Sequence, residues 1–477
     1  MEKSKSNKSK TTQKKCKFRS CCAILPTIVV LFVAYMSYKV YDVMRAPEMP
    51  DLDLDEWWGP PSTKVLQDTS IKQFKIEFSD MMLKDLRSRL SDYQRMKKTK
   101  NMDNTAWTYG VNVEWFQTFV NYWNTKYNFT ERLKYLNQYD HFKTNIQGLG
   151  IHYVRVKPKV ADNVKVLPLL LLHGWPGSVK EFYEAIPHLI TPRVDHDFVF
   201  EVVVPELPGF GYSDTAAKPG LSPAVMGVVM RNLMQRLGFK QYYVQGGDFG
   251  FLVGSSMATL FPNEVLGFHT NLAMVLAAKP LLVWALGSFW PSLVEDKFTN
   301  RMFPLSERLG FYMEETGYMH LQCTKPDTIG LALSSSPAAL ASYLLEKFVI
   351  GTNPNEKFNV DGGLGRYNID DLIDDFMIYW VTGSISTSMR IYKEWVRNFP
   401  VENAMHNTPT AVPTWCLQLK YEIAYLPEFM LRWKYTNLLG VTPMEEGGHF
   451  AAFEMPQVFA NDIINAVKKF REFQIKK

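Results

Sequence analysis

The polarity pattern along this chain changes twice. Over residues 78–145 apolar residues recur at helical spacing, as in "FSDMMLKDLRSRL" and "VEWFQTFVNYWNTKY". The stretch therefore reads as helical, with Ser79 as an N-cap. From Ile151 short apolar runs take over: "IHYVRVKP", "VLPLLLLHG", "FEVVVPELPG" and "QYYVQGG", each closed by Gly or Pro. Helical patterns lie between the later runs, around 178–189 and 222–237. Near-continuous apolar strands alternating with helices predict a parallel sheet covered on both faces. After about Leu266 the texture is helical again ("LLVWALGSFWPSLV", "SPAALASYLLEKF", "IDDLIDDFMIYW"), and no β-run returns until "VPTWCLQL". That order predicts one large α/β domain, with core over 146–266 and 411–477 and a helical insertion over 267–410.

The N-terminus adds a different element. Residues 21–38, "CCAILPTIVVLFVAYMSY", carry no charge and sit at the short end of what spans a bilayer. They predict a single-pass anchor rather than a cleaved signal, because no small-residue cleavage site precedes Lys39. Residues 1–20 form a basic tail with eight Lys or Arg against Glu2, so +7 of the chain's +5 total sits there and the rest comes to −2. No basic stripe continues into the body, which argues against nucleic-acid binding. Taken alone, this tail would stay in the cytosol and send the body to the lumen. The sequon at Asn128 bears on that side. Residues 46–145 form a Pro-rich, acidic linker, with "DEWWGPP", and a helical N-terminal region. Five cysteines make no disulfide framework.

The chemistry concentrates at turns. Gly246-Gly247-Asp248-Phe249-Gly250 has the small-x-nucleophile-x-small form of a strand–turn–helix elbow, with a carboxylate where many hydrolases place serine. A helix N-cap Asp explains the same residues without catalysis. "HGWPGS" follows a buried strand, where its Trp175 N–H, with the N–H of Phe249, suits an oxyanion hole. His449, after Gly447-Gly448, stands where an α/β-hydrolase carries its histidine. Glu422 follows the strand in "TWCLQL" and is the candidate acid; Asp374, Asp375, Glu428, Glu445 and Glu446 are its rivals. No Gly-x-Ser-x-Gly, HExxH or phosphate-binding Gly loop occurs, so no metal or nucleotide cofactor is expected.

These residues, together with "GYMHLQCTKPDTIG", "IYKE" and "GGHFAAFE", resemble the membrane-bound, microsomal class of epoxide hydrolases. Within that class, "YNFTERLKYLNQYDHFKTNIQGLGIHYVRVKP" is similar to the insect juvenile hormone branch. The resemblance implies an α/β-hydrolase fold with a helical cap, and an endoplasmic reticulum membrane enzyme turning lipophilic epoxides into diols without a cofactor. It implies roles for Asp248 (nucleophile), His449 (base), Glu422 (its acidic partner) and Tyr318 and Tyr392 (proton donors to the epoxide oxygen). The class usually has Trp where this chain has Phe249, a change that leaves the backbone N–H intact. The resemblance carries the lipid bilayer as a partner and names no protein partner. A haloalkane dehalogenase and a catalytically silent binder of apolar ligands are the rival readings. The two tyrosines and the complete catalytic set favour the epoxide.

Overall fold

The computed structural model describes residues 26–42, 45, 47–294 and 299–476. The chain divides into two compact units, Met1–Pro47 and Glu48–Lys477. In the first, residues 26–42 form a helix on which the apolar side chains of residues 28–33 are all exposed. The basic tail and residues 21–25 of the expected anchor lie outside the described residues. Among the described residues no helix is long and apolar enough to cross a membrane.

The second unit is built on a nine-stranded sheet, counted over the described residues. In chain order the strands are β1 (Lys72–Phe74), β2 (Asp140–Ile146), β3 (Leu149–Val156), β4 (Lys165–Leu172) and β5 (Phe198–Pro205). They continue with β6 (Tyr242–Gly246), β7 (Val265–Thr270), β8 (Thr414–Gln418) and β9 (Leu438–Pro443). The spatial order is β1-β2-β3-β5-β4-β6-β7-β8-β9. Pairing is antiparallel from β1 to β5 and parallel from there to β9. Every residue of β5 and β6 is buried, as near-continuous apolar runs require of strands covered on both faces. The expected insertion is present. Helices from Ala278–Gly287 to Phe399–Asn407 fill the chain between β7 and β8.

Four boundaries differ from the pattern reading. The helical expectation for 78–145 holds for Asp80–Arg95, Val113–Thr125 and Phe129–Leu136, and Ser79 does cap the first, accepting from Met82 N–H. It fails at β2, which pairs residue for residue with β3 across Gln147-Gly148. Both turn residues have positive φ, 51° and 87°, the conformation a two-residue hairpin needs. The helical texture after Leu266 begins too early, because β7 continues to Thr270 between β6 and β8. Gly267 and His269 break its apolar run. A β-carbon at Gly267 would stand 2.2 Å from the Phe470 ring, and His269 pairs with Asp462 at 2.9 Å. The 178–189 helix resolves into a 3-10 turn, Val179–Phe182, and a short helix, Ile186–Ile190, with a proline as its second residue. The last difference is the pair of short edge strands β1 and β9, partly exposed and without a legible alternation.

The "WWGPP" linker is tied to the hairpin: Trp58 N–H donates to Gln147 O at 2.8 Å, and the Trp57 ring lies against Gly148.

Candidate active site

β6 delivers Asp248 to the carboxyl end of the parallel strands, and the helix Asp248–Leu260 starts at that residue. Two glycines permit the turn by close approach. A β-carbon at Gly246 would lie 2.1 Å from Gly250 O, and one at Gly250 would lie 2.0 Å from Leu172 O. Asp248 has φ +48°, a left-handed conformation that costs a non-glycine residue roughly 1–2 kcal/mol. A strained residue held at a strand end and facing a cavity points to function rather than to ordinary capping. Indeed Asp248 caps nothing; Gly247 is the N-cap residue.

The loop after β4 meets it. Trp175 N–H donates to Asp248 Oδ1 at 2.9 Å. Gly174 makes the approach possible, since a β-carbon there would sit 2.3 Å from that same oxygen. The loop is itself braced from the insertion: Tyr379 OH donates to Gly177 O at 2.8 Å, and Ser178 OH to Asp375 at 2.6 Å. Phe249 follows Asp248 in the first helical turn, where backbone N–H groups have no intrahelical acceptor.

His449 reaches the opposite oxygen, with Nε2 at 3.2 Å from Asp248 Oδ2. Its Nδ1 lies 2.6 Å from Glu422 Oε1. The backbone of His449 is pinned by its N–H to Gly351 O at 2.5 Å, an approach open only to glycine at 448, where a β-carbon would meet that carbonyl at 2.2 Å. Burial works against a charge on this imidazole, but Glu422 and Asp248 outweigh it, and its pKa lies well above the usual histidine value. The imidazolium thus sits between two carboxylates.

The rival acids are elsewhere. Asp374 is bound by Arg132 and by Tyr127 OH at 2.6 Å, and Asp375 takes the Ser178 hydroxyl. Glu428 pairs with Arg432, while Glu445 and Glu446 are exposed.

Two insertion helices supply the tyrosines: Tyr318 from Gly317–Thr324 and Tyr392 from Ile385–Arg397. The Tyr318 ring stacks on Trp175 (5.7 Å, 18°), and Tyr392 stands edge-on to both Trp175 and Phe249. Their rings meet edge-on, with centroids 6.1 Å apart. Burial raises both pKa values far above that of free tyrosine, with the Asp248 charge adding to the effect. Each hydroxyl therefore stays protonated, as a donor.

Asp248, Phe249, Tyr318 and Tyr392 line a cavity of about 450 Å³, whose other walls are mainly apolar, among them Leu252, Met274, Trp284, Met302 and Trp395. The size and the few convergent polar groups suit a lipophilic small molecule. Among the described residues no cluster of His, Cys, Asp and Glu has the arrangement of a metal site.

Comparison with known proteins identifies the family. Residues 71–182 match the family model "Epoxide hydrolase N terminus", and residues 168–339 match "alpha/beta hydrolase fold". Juvenile hormone epoxide hydrolase of Bombyx mori is 50% identical over 93% of this chain and 96% of its own length. The chain belongs to the epoxide hydrolase family. Juvenile hormone epoxide hydrolase 2 of Ctenocephalides felis is 46% identical over 96% of this chain and 97% of its own. The crystal structure of the silkworm enzyme superposes with a TM-score of 0.86 at 50% identity, covering 89% of this chain and all of that one. This epoxide hydrolase therefore has the α/β-hydrolase fold, and the dehalogenase and silent-binder readings fall away.

All seven residues singled out in the sequence meet at this one place. Two others at the site were not singled out. Asn271, at the end of β7, holds the histidine loop through Nδ2 to His449 O at 3.3 Å and is itself held by Gln245. Glu181 lies beside Asp248 and His449. The only sequence signal for it is a glutamate just after "HGWPGS", and Glu184 shares that signal.

Proposed function

We propose that this epoxide hydrolase works through an ester on Asp248. Carboxylate oxygen Oδ2 attacks an epoxide carbon and the ring C–O bond breaks. Tyr318 or Tyr392 gives its proton to the departing oxygen and later regains one from solvent. An epoxide has no carbonyl, so attack by a serine would leave a stable ether; an aspartyl ester is open to water. In the second step His449 Nε2 takes a proton from water as the water oxygen bonds to Asp248 Cγ. Negative charge then collects on Oδ1, opposite the N–H groups of Trp175 and Phe249. The Cγ–Oδ2 bond breaks, the imidazolium returns the proton to the alkoxide, and a vicinal diol leaves carrying Oδ2.

The observation that carries this reading is the pair of contacts on one carboxylate: Trp175 N–H on Oδ1 at 2.9 Å and His449 Nε2 at 3.2 Å from Oδ2. It is tested by a single turnover in oxygen-18 water. The expected result is unlabelled diol and one labelled oxygen on the peptide containing Asp248. Label in the diol instead would mean direct attack by water.

Juvenile hormone is the proposed physiological substrate, supported by the names of the silkworm and flea relatives and by the apolar cavity. We assign residues 21–38 as a single-pass anchor in the endoplasmic reticulum membrane. The assignment rests on the uncharged run and on the exposed apolar side chains of the 26–42 helix. Asn128 is exposed and reports the orientation, since a glycan there requires a lumenal body.

A further inference from the structure

Asp248 has a second cavity on its other side. It is small, about 10 Å³, and Glu181, His449 and three glycines (Gly174, Gly177 and Gly247) contribute to its wall. That volume is about one water-sized sphere. Among the residues lining the two cavities, Asp248 is the one they share: the tyrosines and apolar walls face the larger space, the imidazole and Glu181 the smaller.

Glu181 is built into this position. It belongs to the 3-10 turn Val179–Phe182 and is half-buried. Among the described residues no protein group hydrogen-bonds that carboxyl, which leaves it as an acceptor for a water in the small cavity. Its Oε2 lies so close over Gly177 that a β-carbon there would stand 2.6 Å away. Each glycine of the Gly174-Trp175-Pro176-Gly177 loop thus makes room for one carboxylate, Gly174 for Asp248 and Gly177 for Glu181.

We propose that Glu181 holds the water that hydrolyses the Asp248 ester. This role rests on the two-step reading above. The water gives one O–H to His449 Nε2 and the other to Glu181, so that a lone pair faces Asp248 Cγ from the side away from the substrate cavity. When its oxygen bonds to Cγ, the Cγ–Oδ1 π pair moves onto Oδ1 and the first proton passes to Nε2. Glu181 keeps the second hydrogen bond throughout and neither gains nor loses a proton. Burial pushes the Glu181 carboxyl up to about 7, even beside the imidazoles of His173 and His449, and the Asp248 charge contributes to the rise.

The test separates the two chemical steps in the full-length enzyme, by rapid quench and mass spectrometry of the Asp248 peptide, using a terpenoid epoxide. In Glu181→Gln and Glu181→Ala the ester forms at close to the unaltered rate. Its breakdown slows about 10-fold in the Gln variant, which keeps shape and one acceptor, and about 100-fold in the Ala variant, whose water is unplaced. Breakdown at the unaltered rate in both variants overturns the role of Glu181 and leaves the ester mechanism standing. Equal slowing of both steps means a structural role and overturns it too. Should the Ala variant not fold, the near-isosteric Gln variant decides alone. Failure to detect ester in any variant, His449→Gln included, overturns the two-step mechanism and this role with it.

Discussion

Replacing His449 by Gln leaves an enzyme that captures one equivalent of epoxide and stops. Ring opening draws on Asp248 and the tyrosines, none of which the substitution removes, and Trp175 N–H still holds Oδ1. Breakdown of the ester loses its base, a change that costs about 10²–10⁴ in rate. The adduct should therefore appear on the Asp248 peptide as a mass increase of one substrate molecule, and persist. The unaltered enzyme shows the same dependence through pH. In the resting state Asp248 and Glu422 together keep His449 protonated against the effect of burial. Once Asp248 is esterified its negative charge is gone and Glu422 alone remains, so the imidazole loses its proton more easily when a base is needed. Below its pKa in the intermediate His449 is protonated and cannot accept, so lowering the pH slows ester breakdown and raises the steady-state fraction of adduct. Mass spectrometry of enzyme quenched across a pH series measures that fraction, and a fraction independent of pH would exclude His449 as the base.

The second large effect concerns the other step. Tyr318→Phe or Tyr392→Phe alone slows ring opening about 10- to 100-fold, because the remaining hydroxyl still donates; the double variant slows it about 10³–10⁴-fold. Both rings pack against Trp175, so the ring oxygen meets two donors that stay protonated at neutral pH. The loss falls before the ester. Adding Tyr318→Phe and Tyr392→Phe to His449→Gln should therefore abolish the rapid adduct that His449→Gln alone accumulates, as single-turnover quench would record. Rapid adduct formation in that triple variant would remove the tyrosines from the mechanism. The fold should survive, since each change deletes one hydroxyl and keeps the ring contacts with Trp175 and Phe249.

Much of this molecule is legible in one dimension because its informative features are local. β5, β6 and the second half of β4 are buried, so their sequences are near-continuous apolar runs that need no partner to be recognised. The elbow is legible for a similar reason: Gly246 and Gly250 answer to backbone atoms within contact distance of them, and sequence records that as glycine at fixed offsets. β2, β7 and the edge strands were not legible. Their state is set by the neighbour they pair with, which the local alternation of polar and apolar residues does not encode.

By itself, then, the sequence determined a parallel α/β core, an inserted helical segment, an aspartate on an elbow and the order aspartate, glutamate, histidine along the chain. The resemblance names two tyrosines as well, but only the tertiary structure shows how side chains from distant elements come together. Tyr318 and Tyr392 come from separate helices of the insertion and meet over Trp175. Glu181 and Glu184, three positions apart in one short segment, part company: the first lines the small cavity at His449, and the second accepts from Tyr135 OH. The physical reason is that a turn is fixed by the few backbone atoms around it, whereas the direction a side chain faces is fixed by elements hundreds of residues away.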